Sequence, residues 1–105
     1  MVRIILHLAS HAVVPAIVAR AAYKERWRKV WFVMMATMFV DLDHLLATPV
    51  FDSQRCSLGF HPLHSWLAIG LYAVLTAIPA TRWVGLGLLI HMALDGIDCA
   101  CLLWC

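Results

Sequence analysis

Four apolar segments, cut apart by short polar stretches, decide what this chain can become. Ile4 to Ala19 lies between Arg3 and Arg20, and Val30 to Phe51 between Lys29 and Asp52. Pro62 to Thr81 lies between His61 and Arg82, and Trp83 runs to Cys105. A helix needs about 20 apolar residues to cross a bilayer, a length that all but the first segment reach. With 64% hydrophobic and 13% charged residues, the chain falls well below the roughly one-quarter charge of soluble domains. Backbone groups in lipid must satisfy one another, and four short segments cannot close a barrel, so helices remain. Short connections make neighbours antiparallel. The expectation is an all-α integral membrane protein, an up-and-down four-helix bundle in a single domain over residues 1–105, with helices near 4–22, 28–48, 62–79 and 82–104.

Breakers fall where turns are wanted, at Pro49, Gly59, Pro62 and Pro79, while Pro15 predicts a kink inside the first helix. Four of the eight basic residues sit in "YKERWRK", Tyr23 to Lys29, with Arg20 just before it. Basic short loops stay cytoplasmic, which puts both termini and the Asp52–Phe60 loop outside; Arg3 and Arg55 oppose this weakly. So small a basic patch on a membrane protein argues against nucleic acid. The first segment passes some tests for a signal peptide, but His7 and His11 interrupt the apolar core such peptides keep, so a retained helix is expected.

The ionisable residues are distributed unevenly. His7 and His11 on the first segment, Asp41, Asp43 and His44 on the second, His61 and His64 on the third, and His91, Asp95 and Asp98 on the fourth all fall at the expected outer end. His7/His11 and His91/Asp95, four apart, share a helix face; Asp41/His44 and His61/His64, three apart, do likewise. Asp43 points away from Asp41 on a regular helix, so it either needs a loosened second helix or serves as a partner outside the ligand set. An ionisable group near the membrane centre costs about 2.5–3.5 kcal/mol, and ten together are hard to tolerate without mutual compensation. A divalent cation compensates carboxylates and imidazoles at once; the mixed oxygen and nitrogen donors suit zinc first, then manganese or iron. Candidate ligands are His7, His11, Asp41, His44, His61, His64, His91 and Asp95, more than one ion can use, so one or two ions are expected. Asp98 and Asp43 are the candidates to take a proton or to orient a ligand imidazole. Ser65, beside His64, reads as a helix cap.

Cys56, Cys99 and Cys101 lie on the same outer side, as does Cys105, where disulfides persist. A bridge from Cys56 to Cys99 or Cys101 would clamp the outer loop over the site; four cysteines fix no connectivity.

The series of an N-terminal His, "DLDH" (Asp41 to His44), "HPLH" (His61 to His64) and "HMALD" (His91 to Asp95) resembles the bacterial inner-membrane metal-dependent hydrolases of the YdjM type. The stretch "ATMFVDLDHLLATPVFDSQRCSLGFHPLHS" is similar to a small bacterial family of four-helix membrane proteins without an assigned function. The larger family's pattern has a D-I-D-H element, an H-R-G-x-T-H element and an H-x-x-x-D element. Here His61 and His64 are spaced three apart with no Arg between them. The resemblance implies inner-membrane location and metal-dependent hydrolysis; the outward-facing site makes a lipid-headgroup ester or phosphoester the natural substrate. The alternatives are a transport subunit handling metal ions or protons, a haem protein with paired histidine ligands, and a non-catalytic membrane protein whose helices are stapled by metal. The bilayer is the expected partner, and a homodimer is an option for so small a chain.

Overall fold

The computed structural model describes residues 2–48 and 55–104. Pro49, Phe51, Asp52 and Cys105, expected as a breaker, a segment end, a loop acid and a fourth thiol, lie outside the described residues. The described residues are mostly helical, with no strand among them: α1 (Val2–Tyr23), α2 (Trp27–Ala36), α3 (Trp66–Ala77) and α4 (Arg82–Trp104). Helical residues run without a gap from Val2 to Leu46, but the path reverses within that run. Lys24 adopts a left-handed φ of 45° and opens a 3-10 turn over Lys24–Arg26, after which α2 packs back along α1. Trp31 ties the pair together, its indole N–H donating to the Ala12 carbonyl at 2.9 Å.

The second segment is α-helical only over its first half. From Thr37 to Leu46 it is a 3-10 helix. At the change of winding, the Thr37 hydroxyl donates to the Met34 carbonyl at 2.5 Å, one of the local bonds by which threonine competes with the α-helical ladder. The third segment also departs from one helix over 62–79. Pro62–His64 is a separate 3-10 turn with proline in its first turn, and Ser65 is extended at φ −75°, ψ 161°. The Ser65 hydroxyl accepts from the Ala68 N–H at 3.2 Å, so the serine caps α3 as expected. Ile78, extended at ψ 120°, ends that helix. With 12 residues, α3 is about 18 Å long at 1.5 Å per residue.

α4 is the common element, in contact with α1, α2 and α3. It meets α2 closely at Gly87, where an added Cβ would stand 2.9 Å from the Met34 Cα and 3.0 Å from the Thr37 hydroxyl. Two apolar clusters fill the interior. Ala19, Val30 and Met34 lie between α1 and α2, with Trp83, Leu86 and Ile90 of α4 against them. Val40, Ala68, Tyr72, Leu88 and Met92 join the 3-10 segment, α3 and α4.

The distribution of polarity is inverted relative to a water-soluble domain. His11, Asp43, His61, His64, His91 and Asp95 are buried, whereas Ile5, Leu6, Ile17, Phe32, Phe39, Leu45, Leu46, Leu67 and Ile97 are each more than half exposed. Two of the helical runs, Val2–Leu46 and Pro79–Leu103, are long and apolar enough to cross a membrane. The third, Trp66–Ala77, is apolar but short.

Candidate metal centre

The winding of the second segment explains how its two acids serve one site. On an α-helix Asp41 and Asp43 would be about 200° apart. At three residues per turn the angle becomes about 240°, or 120° the other way, and His44 falls in line with Asp41. Asp41 then reaches His64 and His91, while Asp43 turns toward the Pro62–His64 turn. Tightening of the helix, rather than loosening, brings both carboxylates in.

The turn carrying the third segment's histidines is held from several directions. Gly59 sits at φ +81°, a conformation glycine adopts without strain; its N–H donates to the His64 carbonyl at 2.9 Å, and His64 N–H donates to the His61 carbonyl at 3.0 Å. The Tyr72 hydroxyl, from α3, donates to the Leu63 carbonyl at 2.7 Å. From the other side Asp43 accepts the Leu63 N–H at 2.9 Å. Finally, a disulfide joins Cys56 to Cys99 across 43 positions, fastening the loop to α4. Cys99 continues the His91–Asp95 face at another interval of four, whereas Cys101 lies about 200° round the helix from it.

Four donor atoms converge at the centre: a carboxylate oxygen of Asp41, Nε2 of His64, Nε2 of His91 and a carboxylate oxygen of Asp95, all within 4.8 Å of one another. His64 Nε2 lies 3.3 Å from Asp41 Oδ1 and 3.0 Å from Asp95 Oδ2. His91 Nε2 lies 3.0 Å from Asp41 Oδ1 and 3.3 Å from Asp95 Oδ2. The two Nε2 atoms are 3.3 Å apart. In a tetrahedral zinc site with bonds of about 2.0–2.2 Å, ligand atoms stand about 3.3–3.6 Å from one another. These five edges equal or fall slightly inside that value, so the cage is already close to the size of the ion.

Hydrogen bonding fixes which ring nitrogens are available. His64 Nδ1 faces Asp43 Oδ2 at 2.9 Å, and a carboxylate can only accept there, so Nδ1 carries the proton. A neutral His64 ring would then turn its Nε2 lone pair toward two carboxylates and another imidazole. His11 repeats the arrangement: Nδ1 donates to the His7 carbonyl at 2.8 Å, and Nε2 faces Asp95 Oδ1 at 3.2 Å. Lone pairs aimed at carboxylate oxygens repel unless positive charge lies between them. Protonating both His64 and His91 would set two N–H groups against each other across 3.3 Å. A cation shared by all four donors removes both conflicts, and a carboxylate holding the far side of a ligand histidine is the usual support for such an ion. These buried His and Asp groups can hold a metal ion.

Two further groups of donors adjoin the first. His7, His11 and Asp95 form one; Asp43, His44 and His61 form the other. His44 Nδ1 is engaged by the Asp41 carbonyl at 3.0 Å and Asp43 Oδ1 at 3.2 Å, which leaves Nε2 near the Ser57 hydroxyl at 3.5 Å. His61 stacks on His44 with ring centroids 3.9 Å apart. Among the described residues its buried Nε2 has no hydrogen-bond partner. Burial first, and the neighbouring His44 second, push the His61 imidazole below its ordinary pKa, so the ring is held neutral. Asp98 belongs to none of the three groups. Its Oδ1 accepts from Arg3 at 2.6 Å and lies 3.9 Å from His7 Nδ1.

A cavity of about 270 Å³ opens beside these groups, lined by Arg3, Asp98, Arg55, Ser57, Met38 and Leu8 as well as by the histidines and acids. Arg3, Arg55 and Ser57 were not among the expected site residues. For Arg3 the signal was present, since it precedes His7 by four and shares its helix face; Arg55 and Ser57 come from a loop in which periodicity says nothing.

Neither a curated protein nor a solved structure matches the chain. A family model spanning residues 1–102 does match, and the chain belongs to that family, a family of unknown function designated DUF6122.

Proposed function

We propose that this protein is a membrane-embedded, metal-dependent hydrolase acting on an ester or phosphoester at the level of lipid headgroups, on the outer face of a bacterial inner membrane. The observation that carries the reading is the meeting of Asp41, His64, His91 and Asp95 around one point, with the His64 lone pair turned inward by Asp43. The chemistry an ion supplies there is polarisation of a substrate oxygen and acidification of water to a pKa of about 7. Zinc suits the donors and their spacing best.

The membrane part of the proposal rests on the inverted polarity and on lengths. The 22 residues of α1 extend about 33 Å and the 23 of α4 about 35 Å. Ten α-helical and ten 3-10 residues in the second segment also add up to about 35 Å. Each matches a hydrocarbon core of about 30 Å. In this reading α3 and its preceding turn complete a four-helix bundle without crossing the full thickness. The basic turn from Tyr23 to Lys29 lies inside, and the termini and the histidine-rich end lie outside.

The residues divide the work by position. Asp43 has its oxygens occupied by His64, His44 and the Leu63 N–H, so it orients. Asp98 borders the cavity and is the acid placed to accept a proton, while its Arg3 partner attracts an anionic substrate. The test is to purify the protein in detergent, quantify bound metal, and assay lipid phosphoesters and esters with and without chelator. Chelator-sensitive hydrolysis supports the proposal. Bound metal without it leaves a metal-stapled membrane protein, and no bound metal overturns the reading.

A further inference from the structure

The two oxygens of Asp95 face different pairs of histidines. Oδ2 lies 3.0 Å from His64 Nε2 and 3.3 Å from His91 Nε2. Oδ1 lies 3.1 Å from His7 Nε2 and 3.2 Å from His11 Nε2. All four nitrogens are Nε2, and at His11 the Nδ1 proton is already committed to a backbone carbonyl. The two donor sets abut, with the His11 and His91 rings only 4.5 Å apart between centroids.

We propose that Asp95 bridges two divalent ions, and that the second, held by His7, His11 and Asp95 Oδ1, is where a phosphate oxyanion binds. This rests on the metal-centre reading above and assigns the two sets different tasks. The set of Asp41, His64, His91 and Asp95 supplies four protein donors, so an ion there would take a substrate oxygen only by expanding to five-coordination. The set of His7, His11 and Asp95 supplies three, the number that leaves one position open in a catalytic site. That position faces the cavity, beside the guanidinium of Arg3, which Asp98 holds at 2.6 Å. Paired ions on a shared carboxylate, with an arginine alongside, match the charge and geometry of a phosphoryl group. The His7 side chain is the most accessible of the three at 23%, so the second ion should exchange more readily than the first.

The experiment is cobalt(II) loading of the full chain in detergent, with metal counted by mass spectrometry and ligand binding followed in the visible spectrum. The expected result is two ions per wild-type chain and one in His7→Ala and in His11→Ala, with His61→Ala retaining two. Circular dichroism and the intact Cys56–Cys99 bond serve as checks that the variants fold. Inorganic phosphate should perturb the wild-type spectrum and leave both single-ion variants unchanged. A short-chain phosphatidate acting at tenfold lower concentration would identify a lipid headgroup as the source of the phosphate; equal potency would identify the free anion. One ion in wild type, unchanged by either histidine substitution, overturns the bridge while leaving the first site standing. Two ions in His11→Ala also overturn it, and no ion in any protein overturns both readings. A two-ion wild type insensitive to phosphate refutes the ligand assignment.

Discussion

Asp43→Asn separates a ligand from the residue that aims it. Asp43 contributes no atom to the Asp41–His64–His91–Asp95 group; it accepts from His64 Nδ1 at 2.9 Å, from Leu63 N–H at 2.9 Å and from His44 Nδ1 at 3.2 Å. The carboxamide is nearly the same size, and its oxygen can keep the two bonds made by Oδ2. It removes the negative charge behind the His64 ring and sets an NH2 against the His44 Nδ1. Loss of a partner of this kind weakens metal binding by about 10- to 100-fold, or about 1.4–2.8 kcal/mol at 1.4 kcal/mol per factor of ten. Asp41→Asn, which alters a donor itself, should lose more than 100-fold. The assay is competition for zinc against a chromophoric chelator, with the fold of each variant checked by circular dichroism. If the Asp43→Asn protein binds zinc within threefold of wild type, the lone-pair argument for His64 is wrong. If the two variants lose affinity equally, the assignment of distinct roles fails.

Three further outcomes follow from the same contacts. Cys56→Ser opens a loop of 43 positions, worth about 4 kcal/mol in chain entropy; thermal unfolding in detergent should show a lowered midpoint, and an unchanged one would mean the loop is held by other contacts. Gly87→Ala places a methyl 2.9 Å from the Met34 backbone, an overpacking worth about 1–3 kcal/mol, and should destabilise the protein without altering metal affinity. His61, held below its ordinary pKa of 6.5, is charged first in the unfolded chain, so the stability tied to its neutral form is present above that value and is lost as pH falls through the lower folded value. His61→Phe should therefore show a smaller drop in unfolding temperature between pH 7.5 and 5.5 than wild type; equal drops would refute burial as the cause.

The helical class and the gathering of His and Asp at one end were legible because both follow from periodicity and from the cost of polar groups in apolar segments. The 3-10 winding of Thr37–Leu46 was not, since an apolar run looks alike at 3.0 and 3.6 residues per turn and the decision falls to a local threonine bond and the close crossing at Gly87. An interval of four placed His91 with Asp95 and His7 with His11, but nothing along one chain says which pairs meet. Asp95 as the hub of two sets is a product of how α1 and α4 are turned toward each other. The disulfide was closer to hand: Cys99 follows Asp95 by four and shares the inward face, while Cys101 does not, which would have chosen between them. The third helix was overestimated because the apolar count ran on through Pro62–His64, although Ser65 already read as a cap.

The position of the polar groups along the long axis also bears on the choice between the proposed catalysis and transport. A pathway for protons or metal ions needs polar groups at successive depths. Past His11 on α1, buried positions are Pro15 and Ala19; before Thr37 on α2 they are Val30 and Met34. Trp83, Leu86 and Ile90 of α4 pack against that half, so within the described residues a single chain carries an apolar plug about three helical turns deep beneath the histidines. An ion at the Asp41–Asp95 group can exchange with the cavity but has no polar ladder on the other side. Enclosure on one side and access from the other is the arrangement expected of a site that receives a substrate and returns a product by the same mouth. Replacing Met34 by Asp tests the distinction directly. In a transporter it would extend the path and raise ion flux into proteoliposomes. In a hydrolase it introduces an uncompensated acid at depth, costing about 2.5–3.5 kcal/mol, and lowers stability with no flux gained; metal flux in the wild-type protein, dependent on Asp95, would refute the one-mouthed reading.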